Sequence, residues 1–407
     1  MRGVYLKGLT IFEIKMATVC RTYKFRLYPA KRQAVLLHGM LELARFAYNK
    51  QLELKISSYK KESKSLTQFD LNNSLSLLKE AYPSLKKVHS QVLQNINQRI
   101  SYAFQNFYRR IKMSQKAGFP RYKGKFRYDS LTYPQSGFRL ENKLFISKIG
   151  EVAIVQHREL KGKVKNLTIK RTPTNKWYAC FIVERESANK LPREQRRIGI
   201  DLGLINFYAT SEGKTLKHPH HLRKAEQKLA FAQRNHSRKK HRSNNRRKSR
   251  LKVAMLHEKI VQQRLDFLHK ATRQLANNYT HIAIEKLRIQ NMLHNHYLAK
   301  SISDASWHKF IQLLSYKVEE TGGRIVGVNA KGTSQYCICG NKVEKTLATR
   351  IHKCPECGMN MDRDVMSAII IKHRAFNGTT AGSAESNAWG DEKAFSSRNQ
   401  ESHALRK

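Results

Sequence analysis

Apolar and charged residues alternate along "TYKFRLYP", where Tyr23, Phe25 and Leu27 interleave with Lys24 and Arg26 before Pro29. That period of two predicts a short strand. Over 30–58 the period lengthens to that of a helix, with Val35, Leu36, Met40, Leu43, Ala44 and Ala47 on one broad face. Pro83 separates a second helical stretch from a third over 88–113, whose stripe runs Val92, Ile96, Ile100, Phe104 and Phe107. Its basic end, "YRRIK", suits a helix C-terminus. From Gly118 aromatics interleave with Lys, Arg and turn residues. With "KNLTIKR" and "KWYACFIVER", this predicts a β-rich region over 118–190 that the strand at 22–28 can join.

The second half is punctuated by acids in apolar settings. Asp201 ends the run "RRIGIDLG", which leads through a turn at Gly203 into a second strand, and Ser211, Glu212 and Gly213 mark the next turn. Glu285 ends "THIAIEKL". Asp364 follows a cysteine cluster and opens the apolar helix "VMSAIII". A carboxylate at the end of a buried strand is costly unless paired or bound to metal. A helix with Trp307, Phe310, Leu314 and Val318 as its core face is expected to be capped by Ser303 or Asp304 and to stop at Gly322 and Gly323 before the strand "RIVGVN".

Charge narrows the function. The chain has 78 Lys+Arg against 30 Asp+Glu, a net +48 over 407 residues, which makes a polyanion the expected partner. In 234–252 ten of nineteen residues are Lys or Arg and none is acidic. Arg246, Arg247, Lys248 and Arg250 are the candidate nucleic-acid contacts of this run. Beyond it Leu256, Ile260, Leu265, Leu268 and Leu275 are spaced for a packed helix face, so 221–278 reads as a long helical hairpin. Three carboxylates in so basic a chain suggest Mg²⁺ held against a polyphosphate, hence a metal-dependent nuclease. No apolar run reaches 18 residues, which argues against a membrane span. Met16 is a candidate start of translation.

Four of the six cysteines cluster late: Cys337 and Cys339, then Cys354 and Cys357, the pairs separated by the fourteen residues 340–353. This spacing fits one tetrahedral zinc, with His352 as an alternative ligand. The CxC pair is one residue short of the usual knuckle, so its turn is expected to be strained. Cys20 and Cys180 read as ordinary buried thiols.

Taken in order, "YKFRLYP", "ARFAYNK", "GFPRYK", "GIDLG", "IAIEKL", "LAKSISDASWHKF" and "GTSQYC…CG…HKCPECG…DRD" resemble the TnpB (OrfB) family, transposon-encoded RNA-guided DNA endonucleases ancestral to the type V CRISPR effectors. The resemblance covers roughly 20–375 and implies a multidomain α/β fold: a RuvC/RNase H-like nuclease domain with an inserted zinc-binding knuckle, a β-barrel-like wedge domain and a helical recognition lobe. The implied layout is an extension (1–21), a first wedge strand (22–29), the recognition helices (30–117) and the wedge (118–195). The nuclease lies in three parts (196–220, 279–331 and 361–375), with a basic helical insertion (221–278) and the knuckle (332–360), before a disordered tail (376–407). The resemblance assigns Asp201, Glu285 and Asp364, rather than Asp362, as catalytic ligands of two Mg²⁺, with one structural Zn²⁺ on the four cysteines. It also implies a guide RNA from the transposon end, a double-stranded DNA target beside a short recognised motif, a monomer on its RNA, and a bacterial cytoplasmic, nucleoid-associated location. Two features depart from the family pattern: CxC stands for CxxC, and Met366 and Ser367 stand for Asn and Ala. A site decayed around Met366 would leave an RNA-guided or unguided DNA-binding protein.

Overall fold

The computed structural model describes residues 18–186, 195–346 and 349–377. The expected extension up to residue 17, with Met16, and the tail from 378 onward lie outside the described residues. The chain divides into two compact units, one ending at Ser187 and one beginning at Ala188. No helix among the described residues is long and apolar enough to cross a membrane.

In the first unit β1 (Thr18–Tyr28) enters α1 (Lys31–Glu62), followed by α2 (Gln68–Asn73), α3 (Leu75–Ala81), a 3-10 turn at Pro83–Lys87 and α4 (Ser90–Lys112). Six strands follow: β2 (Ser130–Tyr133), β3 (Phe138–Leu140), β4 (Leu144–Ile146), β5 (Gly150–Val155), β6 (Lys163–Arg171) and β7 (Trp177–Glu186). They join β1 in an antiparallel sheet of order β2-β6-β7-β1-β5-β4-β3. A flat sheet would hold β3 and β7 about 19 Å apart, four strand spacings. Instead the Phe138 and Phe181 rings are 6.3 Å apart, so the sheet curls into a near-closed barrel around Phe25, Phe181 and Leu27.

The helices and the barrel share one apolar cluster. The inward arc of α1 is Leu37, Met40, Leu41, Ala44, Ala47, Tyr48 and Leu52. Val35 and Leu36, expected on that face, are exposed. At 100° per residue they stand about 200° and 100° around the helix from Leu37. Cys20 and Cys180 are also not buried. Alternation along β1 and β7 turns Phe25 and Leu27, and Ala179 and Phe181, inward, which leaves both cysteines on the outer face. Residues 115–129 form no strand. Gly118, Pro120 and Gly124 interrupt the segment, and its backbone bonds to α1 side chains instead of a neighbouring strand.

The second unit begins with an antiparallel meander, β8 (Arg197–Leu202), β9 (Asn206–Thr210) and β10 (Thr215–Lys217). A helical hairpin, α5 (His221–Ser237) and α6 (Asn244–Asn278), then returns the chain to β11 (His281–Glu285), which lies parallel to β8. After α7 (Ile289–Met292), α8 (Ala299–Ala305) and α9 (Trp307–Glu320), β12 (Arg324–Val328) pairs in parallel with β11. The sheet order is β10-β9-β8-β11-β12. A small hairpin, β13 (Ile351–Lys353) and β14 (Asn360–Asp362), feeds directly into α10 (Arg363–Phe376).

Each sheet face carries its own helices. Ile198, Ile200, Ile282 and Ile284 pack with Leu268 and Leu275 of α6 and Phe310 and Leu314 of α9. The distal hairpin is thus continuous with a helix that belongs to the core. The opposite face, with Ala283 and Val328, takes α10 through Ile371. There Gly199 lets backbone meet backbone. A methyl group on it would stand 2.1 Å from the Ala368 carbonyl oxygen and 2.7 Å from the Lys372 nitrogen. Gly199→Ala is expected to cost about 3 kcal/mol, because helix backbone cannot yield as a flexible side chain does. Guanidinium unfolding measures the loss, and unchanged stability would mean that α10 does not approach the sheet so closely.

Candidate functional site

β8 and β11 run side by side with Ile200 opposite Ile284. One residue further along stand Asp201 and Glu285, so two adjacent parallel strands present carboxylates at the same end. Their alternation matches Gly199 and Ala283, on the face that α10 covers. Asp364 sits in the first turn of that helix. Burial first, then the charges of Glu285 and Asp364, push the Asp201 carboxyl well above the usual carboxylate range, with Arg363 opposing. Glu285, only 9% exposed, is also raised by burial, against the Thr333 hydroxyl that donates to its carboxylate and the nearby Arg374 charge. The structure therefore brings Glu285 and Asp364 within electrostatic reach of Asp201, from a strand and a helix far apart in sequence.

The neighbouring acid Asp362 has a different task. Its carboxylate accepts from the Asp364 and Val365 amides at 2.8 and 3.2 Å, which caps α10. Arg363 donates to the carbonyls of Thr346 and Thr349 at 3.2 and 3.1 Å, and its Nε lies 3.7 Å from Asp364. Arg374 donates to the Asn329 and Lys331 carbonyls, fixing the loop that carries Thr333. Nothing in periodicity or charge singles out Thr333, Arg363 or Arg374, since each acts through a loop distant in sequence.

The oxygen-only donor set, desolvated and self-repelling, fits hard divalent cations. Its ligand atoms do not all fall within 4.8 Å of one another, as those of the cysteine cluster do.

Cys337, Cys339, Cys354 and Cys357 form a group that could hold one metal ion. Cys337 and Cys357 sulfurs lie 3.5 Å apart and those of Cys339 and Cys354 3.7 Å, far beyond disulfide length. Tetrahedral thiolate coordination at about 2.3 Å places sulfurs about 3.8 Å apart, so the cluster has the right size. Backbone amides of Cys357 and Glu356 hold the Cys354 thiol down at about 6, despite opposing burial. The expected strain in the CxC turn is absent: neither Cys337, Ile338 nor Cys339 has positive φ, and Gly340 takes the left-handed position at +91°. His352 is fully buried and stands outside the metal-holding group, because its strand position turns it into the knuckle interior. Met366 and Ile370 of α10 pack against Cys337 and Cys354.

The basic run forms the tip of the α5–α6 hairpin. Arg246 donates to the carbonyls of His236, Ser237 and Lys239 at 3.3, 3.4 and 2.9 Å, closing the C-terminal end of α5. Arg247, Lys248 and Arg250 are exposed. At the hairpin base, Asp304 does not cap α9, which starts after Ser306 with no side-chain cap. Only 6% exposed, Asp304 instead accepts from the Leu222 amide at the start of α5 and pairs with Arg264 of α6 at 2.8 Å. A carboxylate one turn before a helix can cap another whose own N-cap, here the left-handed His220, offers no acceptor.

These geometries separate Arg246, bonded within the fold, from the exposed Arg247, Lys248 and Arg250. Replacing Arg247, Lys248 and Arg250 by Gln should lower the slope of log affinity against log salt for duplex DNA by up to about three, with melting temperature held or raised. Arg246→Gln should lower the melting temperature instead. Anisotropy titrations over a salt series decide it, and an unchanged slope for the triple variant would make the tip a solvated surface.

Comparison with known proteins gives the family. A family model described as a probable transposase of the OrfB type matches residues 180–296, and one described as a Cas12f1-like TNB domain matches 307–371. A third, described as a helix-turn-helix domain, matches 16–64, where the described residues form one strand and one unbroken helix. A Streptomyces pristinaespiralis protein named "Putative RNA-guided DNA endonuclease" is 32% identical over 87% of this chain and 89% of its own length. The InsQ protein of Escherichia coli (strain K12), of the same description, is 29% identical over 86% and 90%. The protein chain of a solved Cas12f1–sgRNA–target DNA complex shares the fold at a TM-score of 0.55 and 13% identity, over 87% of this chain and 99% of that one. The chain belongs to the TnpB/OrfB family of transposon-associated proteins.

Proposed function

We propose that the chain is an RNA-guided DNA endonuclease with a RuvC-like site at Asp201, Glu285 and Asp364. One observation carries this reading: Asp201 and Glu285 stand at the ends of adjacent parallel strands, and the charges of Glu285 and Asp364 both act on the desolvated Asp201, in a chain of net charge +48. The sheet order, an antiparallel meander extended by two parallel strands, supports an RNase H-like core. The curled barrel and its helices support the wedge and recognition roles. The partners proposed are a guide RNA from the transposon end and a double-stranded DNA target, as the names of the relatives suggest.

In this reading Asp201, whose carboxyl feels both other charges, would hold Mg²⁺ together with Glu285 and Asp364. Bound there, the ions supply an activated water and stabilise the leaving 3′ oxygen. Thr333 fixes the orientation of the Glu285 carboxylate, and Asp362 holds the first turn of α10 so that Asp364 meets the strands. The α10 packing excludes water from one side. The same site would cut the two strands in turn once an RNA–DNA heteroduplex has displaced the non-target strand. Zinc is the ion proposed for the cysteine cluster, where it would fix the knuckle against Met366 and thereby the start of α10.

The test is purification with co-expressed flanking RNA, then cleavage of a plasmid library randomised beside the target. Motif-dependent double-strand breaks that need Mg²⁺ are expected. Asp201→Asn should lower cleavage about 1000-fold or more while guided binding persists. Without Mg²⁺ the same variant should melt higher than the wild type, because a repelling charge is gone, and Mg²⁺ should stabilise only the wild type. Retained cleavage would show that the site lies elsewhere.

Elemental analysis should find about one zinc per chain. Cys354→Ser should lower both zinc content and melting temperature. A metal-free protein with native stability would refute the zinc assignment.

A further inference from the structure

The irregular strap between α4 and β2 has a surface that folding alone does not explain. Phe119, Tyr122 and Phe126 are 50%, 56% and 57% exposed. Arg121, Lys125 and Arg127 are exposed between and beside them. No acid occurs over residues 113–128. Exposed aromatics usually mark a mobile segment or a binding surface, and this segment is fastened. Asn49 of α1 grips Lys123 from both sides, accepting from its amide at 2.8 Å and donating to its carbonyl at 3.0 Å. Arg45 donates to the same carbonyl, and the Glu42 carboxylate accepts from the Phe126 amide. Phe119 stands edge-on to both Phe104 and Phe107, at 5.5 and 5.3 Å.

Phe126 has φ +64°, a left-handed backbone that a bulky aromatic rarely adopts. Glycine or asparagine would take that conformation more readily, yet the side chain here is a large ring turned to solvent. Such strain persists where surrounding contacts over-determine it, and it concentrates at binding sites. Lys50 of α1 lies near both Tyr122 and Tyr82, and Tyr82 stands edge-on to Phe46 at 4.8 Å, so the aromatic surface continues onto the helices.

We infer that the strap is a stacking platform for single-stranded nucleic acid, with unpaired bases on Tyr122 and Phe126 and phosphates on Arg121, Lys125 and Arg127. Aromatic faces accept any unstacked base, and interleaved cations follow the backbone. A paired duplex hides its base faces and gains nothing from exposed rings. A protein partner would be matched by mixed charge, which this segment lacks. The platform is independent of the carboxylate site, so failure of one leaves the other standing.

The test uses the full chain, freed of nucleic acid, with labelled oligouridylate, oligothymidylate and a blunt DNA duplex. Tyr122→Ala combined with Phe126→Gly, which suits the left-handed backbone, should weaken single-strand binding about tenfold or more. The salt slope, the duplex affinity and the melting temperature should stay unchanged. Tyr122→Phe should bind as the wild type does, because the ring and not the hydroxyl stacks. Arg121→Gln with Lys125→Gln should lower the salt slope instead. A larger loss for oligouridylate identifies RNA as the strand, a larger loss for oligothymidylate identifies DNA, and equal losses indicate a platform that accepts both. Unchanged single-strand affinity, an equal loss on the duplex, or a Tyr122→Phe defect as large as that of Tyr122→Ala would overturn the inference. Photocrosslinks from 4-thiouridine RNA should map to 118–127, and their absence there would overturn it equally.

Discussion

The second unit is organised around an unfavourable interaction. Asp201 and Glu285 are desolvated side by side, and Asp364 adds a third negative charge from the opposite element. A fold selected only for stability would separate these groups or neutralise them, and the two arginines nearby, Arg363 and Arg374, are too few to balance three acids. The repulsion is held in place by contacts that leave α10 little freedom: the Gly199 backbone approach, the Asp362 cap and the knuckle packed on Met366 and Ile370. The energy that assembles the acids comes from apolar burial on both faces of the sheet, and a divalent cation is what would relieve the charge.

The elements most legible in the sequence were those fixed by local pattern. "RIGIDL" and "HIAIE" are strands because Ile residues alternate around small ones, and that alternation alone set Asp201 and Glu285 on one face. The cysteine spacing gave the metal-holding cluster. What escaped were contacts made across long sequence separations. Asp304 reads as a local cap because it precedes a helix, but its oxygens serve α5 and α6, 82 and 40 residues away. Arg246 looked like one more charge of a basic run, yet its position beside the turn commits it to three carbonyls. Val35 and Leu36 fall outside the buried arc because periodicity gives the angle between residues and not which arc meets the core. The strap at 115–129 carried a strand's composition, and only the α1 side chains that bind its backbone settle its shape.

Two kinds of positive charge follow from this. Arg246, Arg264, Arg363 and Arg374 donate to carbonyls or to buried carboxylates and are parts of the fold. Arg247, Lys248 and Arg250 at the hairpin tip, and Arg121, Lys125 and Arg127 along the strap, are exposed. Removing the first kind breaks a specific geometry, whereas removing the second relieves self-repulsion. A chain of net +48 can be stable because the two kinds are segregated, with the structural cations consumed locally and the remainder left to a polyanion.

The departures from the family pattern acquire a common physical setting. Met366 is buried against Cys337 and Cys354, so it belongs to the core of the knuckle and not to the solvent around the acids. The shortened first pair lies in that same cluster and closes without a left-handed residue between its cysteines. A flexible thioether fills irregular space of the kind a shortened turn leaves, which a polar amide would do poorly without buried partners. Ser367, the other substituted position, satisfies its hydroxyl on the Arg363 carbonyl one turn back in α10. Each change is accommodated by its surroundings, and none removes a carboxylate. Both substituted positions thus face the packing of the knuckle and of α10, and Asp201, Glu285 and Asp364 are all retained.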